Sequence, residues 1–286
     1  MSLVRRYFVL CKVEIALLAS CSTATGFALT GSGGLRGLLL VSLGVFILAA
    51  GSAALNEWQE WRLDALMERT KNRPIPRGDI SPNHGFCVAV ALITIGLVIL
   101  QIAMDGMATG LGALAVLWYN GVYTPLKAKT PFAAVPGGVV GAIPPMIGWV
   151  AAGGIWNDPR ILILSLVLFV WQTPHFWLLL LRFGPDYERA GFPTLMTIFS
   201  KEQVSRLIFV WILATVAVTF TLPFFGVVPA WYFLVTVAPC ALWLVWKSAG
   251  ILKLSAASVP GGVAFGAINL FLLEIMVALS ASRFVA

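Results

Sequence analysis

Charge is what this chain has least of. Only 11% of its 286 residues are Asp, Glu, Lys or Arg, against 59% apolar, and the mean hydropathy is +0.92. Soluble globular domains carry about a quarter charged residues, so that class is excluded and a polytopic membrane protein is expected. Polar linkers are lacking too. No hydrophilic stretch is long enough to separate folding units, which predicts a single membrane-embedded domain over residues 1–286. Cysteines are few and have no C-x-x-C spacing: Cys11, Cys21, Cys87 and Cys240 lie in or beside apolar segments and read as small buried hydrophobes rather than redox or metal groups. The net charge of +7 is scattered over short inter-helix loops, which excludes a nucleic-acid surface.

What is present is a series of apolar runs, each about 17 to 23 residues, long enough to span a bilayer. They fall at 9–30, 36–55, 86–104, 108–124, 136–153, 161–181, 204–222, 228–246 and 261–282. Backbone polar groups in hydrocarbon must be paired within the segment, so each run is expected to be a helix and the fold all-α, with nine transmembrane helices. Arg5 and Arg6 precede the first run as in a signal peptide. Lys12 and Glu14 interrupt the would-be signal core, so a retained first helix is expected instead. With the N-terminus cytoplasmic and the C-terminus outside, sixteen Lys and Arg residues fall on inner segments and only Arg36, Arg160 and Arg283 on outer ones. Outer loops such as the one at Asp105 are short, whereas two inner loops, 56–84 and 182–203, are long and polar. Each follows an even-numbered helix, which hints at an internal duplication.

The first inner loop concentrates the chemistry. Asn56, Glu60 and Asp64 recur every four residues, which places them about 40° apart on one helical face. Two carboxylates and an amide make a hard-oxygen site suited to Mg²⁺. Arg69, Lys71, Arg73 and Arg77 follow in one short loop. Acids for a divalent cation beside bases for an anion suggest a diphosphate bridged by metal. The competing reading is a solvated loop in which these acids and bases only pair with one another. Trp58 and Trp61 read as interfacial belt residues or as a lining for a developing cation.

Three further stretches contribute candidates. Tyr123 and Lys127 close the fourth run on the same side, where a phenol and an ammonium can both reach an anionic head group. Residues 136–145 are rich in Gly and Pro, which allows close helix approach or lines a cavity. The sixth run is expected to end at Trp171-Gln-Thr-Pro-His175-Phe-Trp177, followed by a second charged loop that carries Asp186 as a further metal ligand. His175 is a polar ring at membrane depth, functional or simply satisfied, and Glu274 is a carboxyl near the middle of the last helix.

Four motifs in order, Asn56-x-x-x-Glu60-x-x-x-Asp64-Ala-Leu-Met-Glu-Arg-Thr-x-Asn-Arg-Pro74, Tyr123-Thr-x-Leu-Lys127, Gly137-Gly-x-x-Gly-Ala-Ile-Pro-Pro-x-Ile-Gly-Trp149 and Trp171-Gln-x-Pro-His-Phe-Trp177 with Asp186-Tyr-x-x-Ala-Gly-x-Pro193, resemble the UbiA superfamily of membrane prenyltransferases, and within it the branch that farnesylates haem. The resemblance runs from about residue 5 to 280 and implies nine helices around a central cavity in the cytoplasmic (inner) membrane. It implies a Mg²⁺-dependent transfer of farnesyl from farnesyl diphosphate to a vinyl group of haem b, giving haem o and diphosphate, with the lipid bilayer and a haem a synthase as further partners. The candidate catalytic residues it implies are Asn56, Glu60, Asp64, Lys127, His175 and Asp186. Among them Asn56, Glu60, Asp64 and Asp186 would hold metal, Arg69, Arg73, Tyr123 and Lys127 would hold diphosphate, and His175 would fall near the haem. The chain departs from the family pattern at Glu60 (usually Asp), at Val13 and Glu14 (usually Pro and Arg), at Ala133 (usually Asn) and at Gly184 and Pro185 (usually charged). The diphosphate end is therefore kept better than the acceptor end. Transfer to another aromatic acceptor, such as a quinone precursor, is the alternative enzyme reading, and a non-catalytic carrier or channel the alternative of another class.

Overall fold

The computed structural model describes residues 2–103, 106–253 and 261–284; Asp105, expected in an outer loop, lies outside them. Helices account for nearly all of the described chain: α1 (Leu3–Leu10), α2 (Val13–Leu29), α3 (Leu35–Asp64), α4 (Pro82–Ala103), α5 (Gly106–Val116), a π-helical segment (Leu117–Tyr123), α6 (Thr124–Lys127), α7 (Ala134–Ala151), α8 (Pro159–Arg189), α9 (Lys201–Thr219), α10 (Ala230–Val235), α11 (Val237–Ser248) and α12 (Gly261–Ser282). Seven helical stretches are each long and apolar enough to cross a membrane, and the α1–α2 pair passes the same test together although bent by 53°. The remaining expected span, 108–124, falls on the composite of α5, the π segment and α6. No unbroken α-helix of spanning length stands there, so among the described residues eight candidate spans and this composite stand where nine single helices were expected.

Three departures from simple helices have identifiable causes. The first run breaks at Lys12, the one non-glycine residue with positive φ (44°) among those described. Its left-handed backbone turns the ammonium inward to Asn56 Oδ1 at 2.7 Å, so the expected helix 9–30 becomes two. In the fourth, the π segment presents Asn120 to α3. Asn120 exchanges hydrogen bonds with Ser52 (2.6 and 3.0 Å) and with Gln59 (3.1 Å, and 2.9 Å to its own carbonyl), and these bonds occupy the groups that a π turn leaves differently placed. The third is the sixth run, which does not end near Trp177. As α8 it continues through Pro174 and Pro185 to Arg189, so Asp186 stands on a helix rather than in the expected loop. At about 1.5 Å per residue its 31 residues reach well beyond a hydrocarbon core of about 30 Å.

The main core is built where α7 packs on α8, α2 and α5, with α9, α11 and α12 closing the other side. Small residues set the approach of α2 and α7. A Cβ on Gly26 would overlap the Pro145 carbonyl and one on Gly148 would overlap the Thr23 carbonyl, so these backbones touch as membrane helices with small-residue seams do. Val90, Ile95, Val98 and Ile102 on α4, and Leu270, Leu273 and Val277 on α12, are exposed and present an apolar surface suited to lipid. Trp58 packs on Phe86 and, with Trp61, joins the cluster of Leu10, Ala54, Ile75, Ile80 and Ala89, which seats the 65–81 loop on α3 and α4. Both rings are thus held by packing, and the Arg62 guanidinium lies 5.3 Å from the Trp61 ring centre.

Candidate active site

Helix α3 is 30 residues long, about 45 Å, so its last turns extend past the apolar part of the bundle. Asn56, Glu60 and Asp64 lie along those turns and are buried, at 1%, 8% and 1% exposure. They form one hydrogen-bonded row with cations set into it. Asn56 Nδ2 donates to Glu60 Oε2 at 2.9 Å and to Thr124 Oγ1 at 3.0 Å, while Lys12 Nζ donates to Asn56 Oδ1. Lys127 Nζ lies 2.7 Å from each Glu60 carboxylate oxygen. Arg73 Nη1 meets Asp64 Oδ2 at 2.6 Å. Burial works against the charge of Arg73, but the adjoining Asp64 carboxylate more than offsets it and holds the guanidinium above its ordinary range.

The second charged helix end meets the first. Asp186, 7% exposed, accepts the backbone N–H of Arg69 at 3.1 Å on one oxygen and Arg189 on the other. Arg69 also donates to the Tyr187 hydroxyl at 2.9 Å and lies over the Phe183 and Tyr187 rings. Met67, Ala190 and Phe192 pack with Leu63 and Tyr187 beneath this contact. The two polar segments that are four runs apart in sequence are therefore one surface in the fold.

Tyr123 joins them. Lys127 Nζ lies 5.2 Å from its ring centre, Tyr119 stacks on it at 5.9 Å, and Phe176 faces it at 5.8 Å. Gly137 of the Gly-Gly motif makes room for this ring, since a Cβ there would stand 2.6 Å from Tyr123 Cε2. Beside them is a cavity of about 60 Å³, lined by Tyr123, Lys127, Ala133, Phe176, Tyr187 and Phe192 among others.

Of the candidates, Asn56, Glu60, Asp64, Arg73, Tyr123 and Lys127 converge, and Asp186 and Arg69 border them through the loop. His175 does not join them. It is stacked at 4.7 Å on Trp171 and 5.0 Å from Phe265, with Asn269 as polar neighbour and Nδ1 buried without a hydrogen-bond partner among the described residues. Phe176 connects it to Tyr123. Glu274 has a buried Oε2 that is equally unpartnered. Lys12 and Thr124 were not among the candidates, although a lysine inside an apolar run is itself a signal for a functional residue.

The oxygen donors fit Mg²⁺ by type, being three carboxylates and an amide, all buried. They are not gathered around one point. Among the described residues no three of His, Cys, Asp and Glu lie close enough together to hold a metal ion. The reason is visible in the pairings, because each carboxylate is drawn to its own lysine or arginine.

Comparison with known proteins assigns the class. Residues 17–271 match the UbiA prenyltransferase family. The chain belongs to that family, and is a multi-pass membrane prenyltransferase rather than a carrier or channel. A protoheme IX farnesyltransferase of Geobacter sulfurreducens is 43% identical over 78% of this chain and 82% of its own length, and one of Aquifex aeolicus is 37% identical over 85% and 84%. The fold is shared with a digeranylgeranylglyceryl phosphate synthase (TM-score 0.79, 18% identity, all of both chains) and with a UbiA homologue of Archaeoglobus fulgidus bound to GPP and Mg²⁺ (TM-score 0.67, 16% identity, 96% of this chain and 99% of the other).

Proposed function

We propose that this protein, like relatives named protoheme IX farnesyltransferases, farnesylates haem b, and that it transfers the farnesyl group of farnesyl diphosphate to a vinyl group to give haem o and diphosphate. The observation that carries the reading is the meeting of the α3 and α8 ends, where buried carboxylates and basic groups alternate within hydrogen-bond distance.

Asn56, Glu60, Asp64 and Asp186 would hold Mg²⁺, which when bound supplies positive charge against the leaving diphosphate. Lys127 and Arg73 are already paired with Glu60 and Asp64, and the Arg69 guanidinium lies nearby on the Tyr187 hydroxyl. Once the carboxylates are engaged elsewhere, these cations are free to turn to phosphate oxygens, with the Tyr123 hydroxyl beside them. As the C1–oxygen bond breaks, the faces of Tyr123 and Phe176 stabilise the allylic cation by cation–π contact, and the buried surroundings keep water away. The new carbon–carbon bond forms at the outer vinyl carbon. Water then adds at the carbon next to the ring and gives up a proton, leaving a hydroxyethylfarnesyl group. The small cavity requires the Phe176, Tyr187 and Phe192 side chains to move for a tetrapyrrole, and His175, one aromatic layer away through Phe176, is placed near that acceptor.

The same reading puts the chain in the cytoplasmic membrane with the N-terminus and the diphosphate site inside and the C-terminus outside, handing its product to a haem a synthase. The test is turnover by purified protein of haem b with farnesyl diphosphate and Mg²⁺, read by mass spectrometry of the extracted haem. Gain of one farnesyl group and one hydroxyl across the vinyl bond is expected. An unchanged haem, with prenylation of a quinone precursor instead, would replace this acceptor by the alternative one.

A further inference from the structure

Glu57 stands next to Asn56 in sequence, so a helix turns it about 100° away from the Asn56–Glu60–Asp64 row. It is fully buried, and none of the steps above uses it. Its Oε1 accepts the backbone N–H of Ile75 at 3.1 Å, and its Oε2 is buried with no hydrogen-bond partner among the described residues. The bond has an unusual target. Ile75 lies between Pro74 and Pro76, which have no N–H, so the three residues offer one backbone donor in all, and Glu57 takes it. The Ile75 side chain is fixed as well, packed with Leu10, Ala54, Ile80 and Ala89.

Two residues before Ile75 is Arg73, whose guanidinium holds Asp64. Helix α3 thus grips this loop twice, at Asp64 through Arg73 and at Glu57 through Ile75. The first grip must open when Asp64 takes metal and Arg73 takes phosphate. The second lies off the reacting face and has no reason to open. We infer that Glu57 is a positioning residue: by clamping the Ile75 amide it holds the Arg73-Pro-Ile-Pro turn so that Arg73 passes from Asp64 to the diphosphate without leaving the site. The inference rests on the proposed role of Arg73.

The test uses the full-length purified protein and a non-ionising analogue, farnesyl thiodiphosphate with Mg²⁺, titrated by calorimetry, so no acceptor is needed. Glu57→Met keeps the side-chain volume but lacks a strong acceptor, and is expected to weaken analogue binding about tenfold, the size of one hydrogen bond to a charged group. Glu57→Gln keeps an acceptor oxygen and restores binding. Deuterium uptake at residues 73–80, measured without ligand, rises in Glu57→Met and not in Glu57→Gln. Arg73→Ala combined with Glu57→Met binds no worse than Arg73→Ala alone. Wild-type binding with an additive double mutant, or Gln as weak as Met, or unchanged uptake in Glu57→Met, overturns the positioning role while leaving the site reading intact. Failure of wild-type protein to bind the analogue, or of Arg73→Ala to weaken it, overturns the site reading instead, and this inference with it.

Discussion

At the residue scale the site is a set of acids whose partners are exchangeable cations. Asp64 is 1% exposed, and its ion-pair partner among the described residues is Arg73. Asp64→Ala removes a proposed metal ligand and leaves Arg73 partly buried beside an uncompensated gap, so turnover is expected to fall by at least 10²–10³-fold, the range seen when one electrostatic stabiliser is deleted. Steady-state rates on purified variant and wild type check this, and full activity would remove Asp64 from the metal site. Glu60→Asp keeps the carboxylate one methylene shorter, and Lys127 is long enough to follow it. Activity is expected to stay within about tenfold of wild type, the effect of weakening and not losing a charge-assisted contact. Much of this row was legible in the sequence, because a four-residue repeat on a helix has one geometric outcome. Lys12 was not. Its reach to Asn56 depends on a left-handed backbone at the break after α1, a tertiary decision that no local pattern announces.

Elements set where those residues can be. The α2–α7 seam depends on backbones in contact at Gly148 and Gly26. Gly148→Val would push a side chain into the Thr23 carbonyl, and overpacking of this kind costs about 1–3 kcal/mol or more. A clear drop in thermal stability is expected, measured by size-exclusion chromatography after heating in detergent; a wild-type profile would show that the seam can open at no cost. Hydrophobic runs read from sequence found the spans because bilayer thickness fixes their length. Two features escaped that reading. The π segment at Leu117–Tyr123 is bound to α3 through the Ser52–Gln59–Asn120 bonds, between partners 61 and 68 residues apart, and the end of α8 meets the backbone of Arg69 through Asp186, 117 residues away. Neither is encoded in a window of neighbouring residues. Asn120→Leu strips the π segment of its anchor to α3 and is expected to lower both stability and turnover, by roughly the 1–3 kcal/mol of buried groups left unpaired.

For the whole molecule, the charge asymmetry of the loops and the position of the acid clusters make one statement: the chemistry belongs at one end of the bundle, the proposed cytoplasmic end. A cysteine at Arg77 should react with an impermeant maleimide only from that side, and one at Arg283 only from the other; the reverse would invert the topology drawn from the loops. The acceptor was the least legible part, because it depends on how α8 and α12 arrange Trp171, His175, Phe176 and Phe265 and not on any spaced motif. The claim on which the account turns is that the α3 and α8 ends together seize a prenyl diphosphate through Mg²⁺. Calorimetric titration of farnesyl thiodiphosphate into wild type, Asp64→Asn and Asp186→Asn, each with Mg²⁺ and with EDTA, measures it most directly. Binding that requires Mg²⁺ in the wild type and is lost in both variants is the predicted result. Binding that persists in EDTA, or survives in either variant, would contradict it.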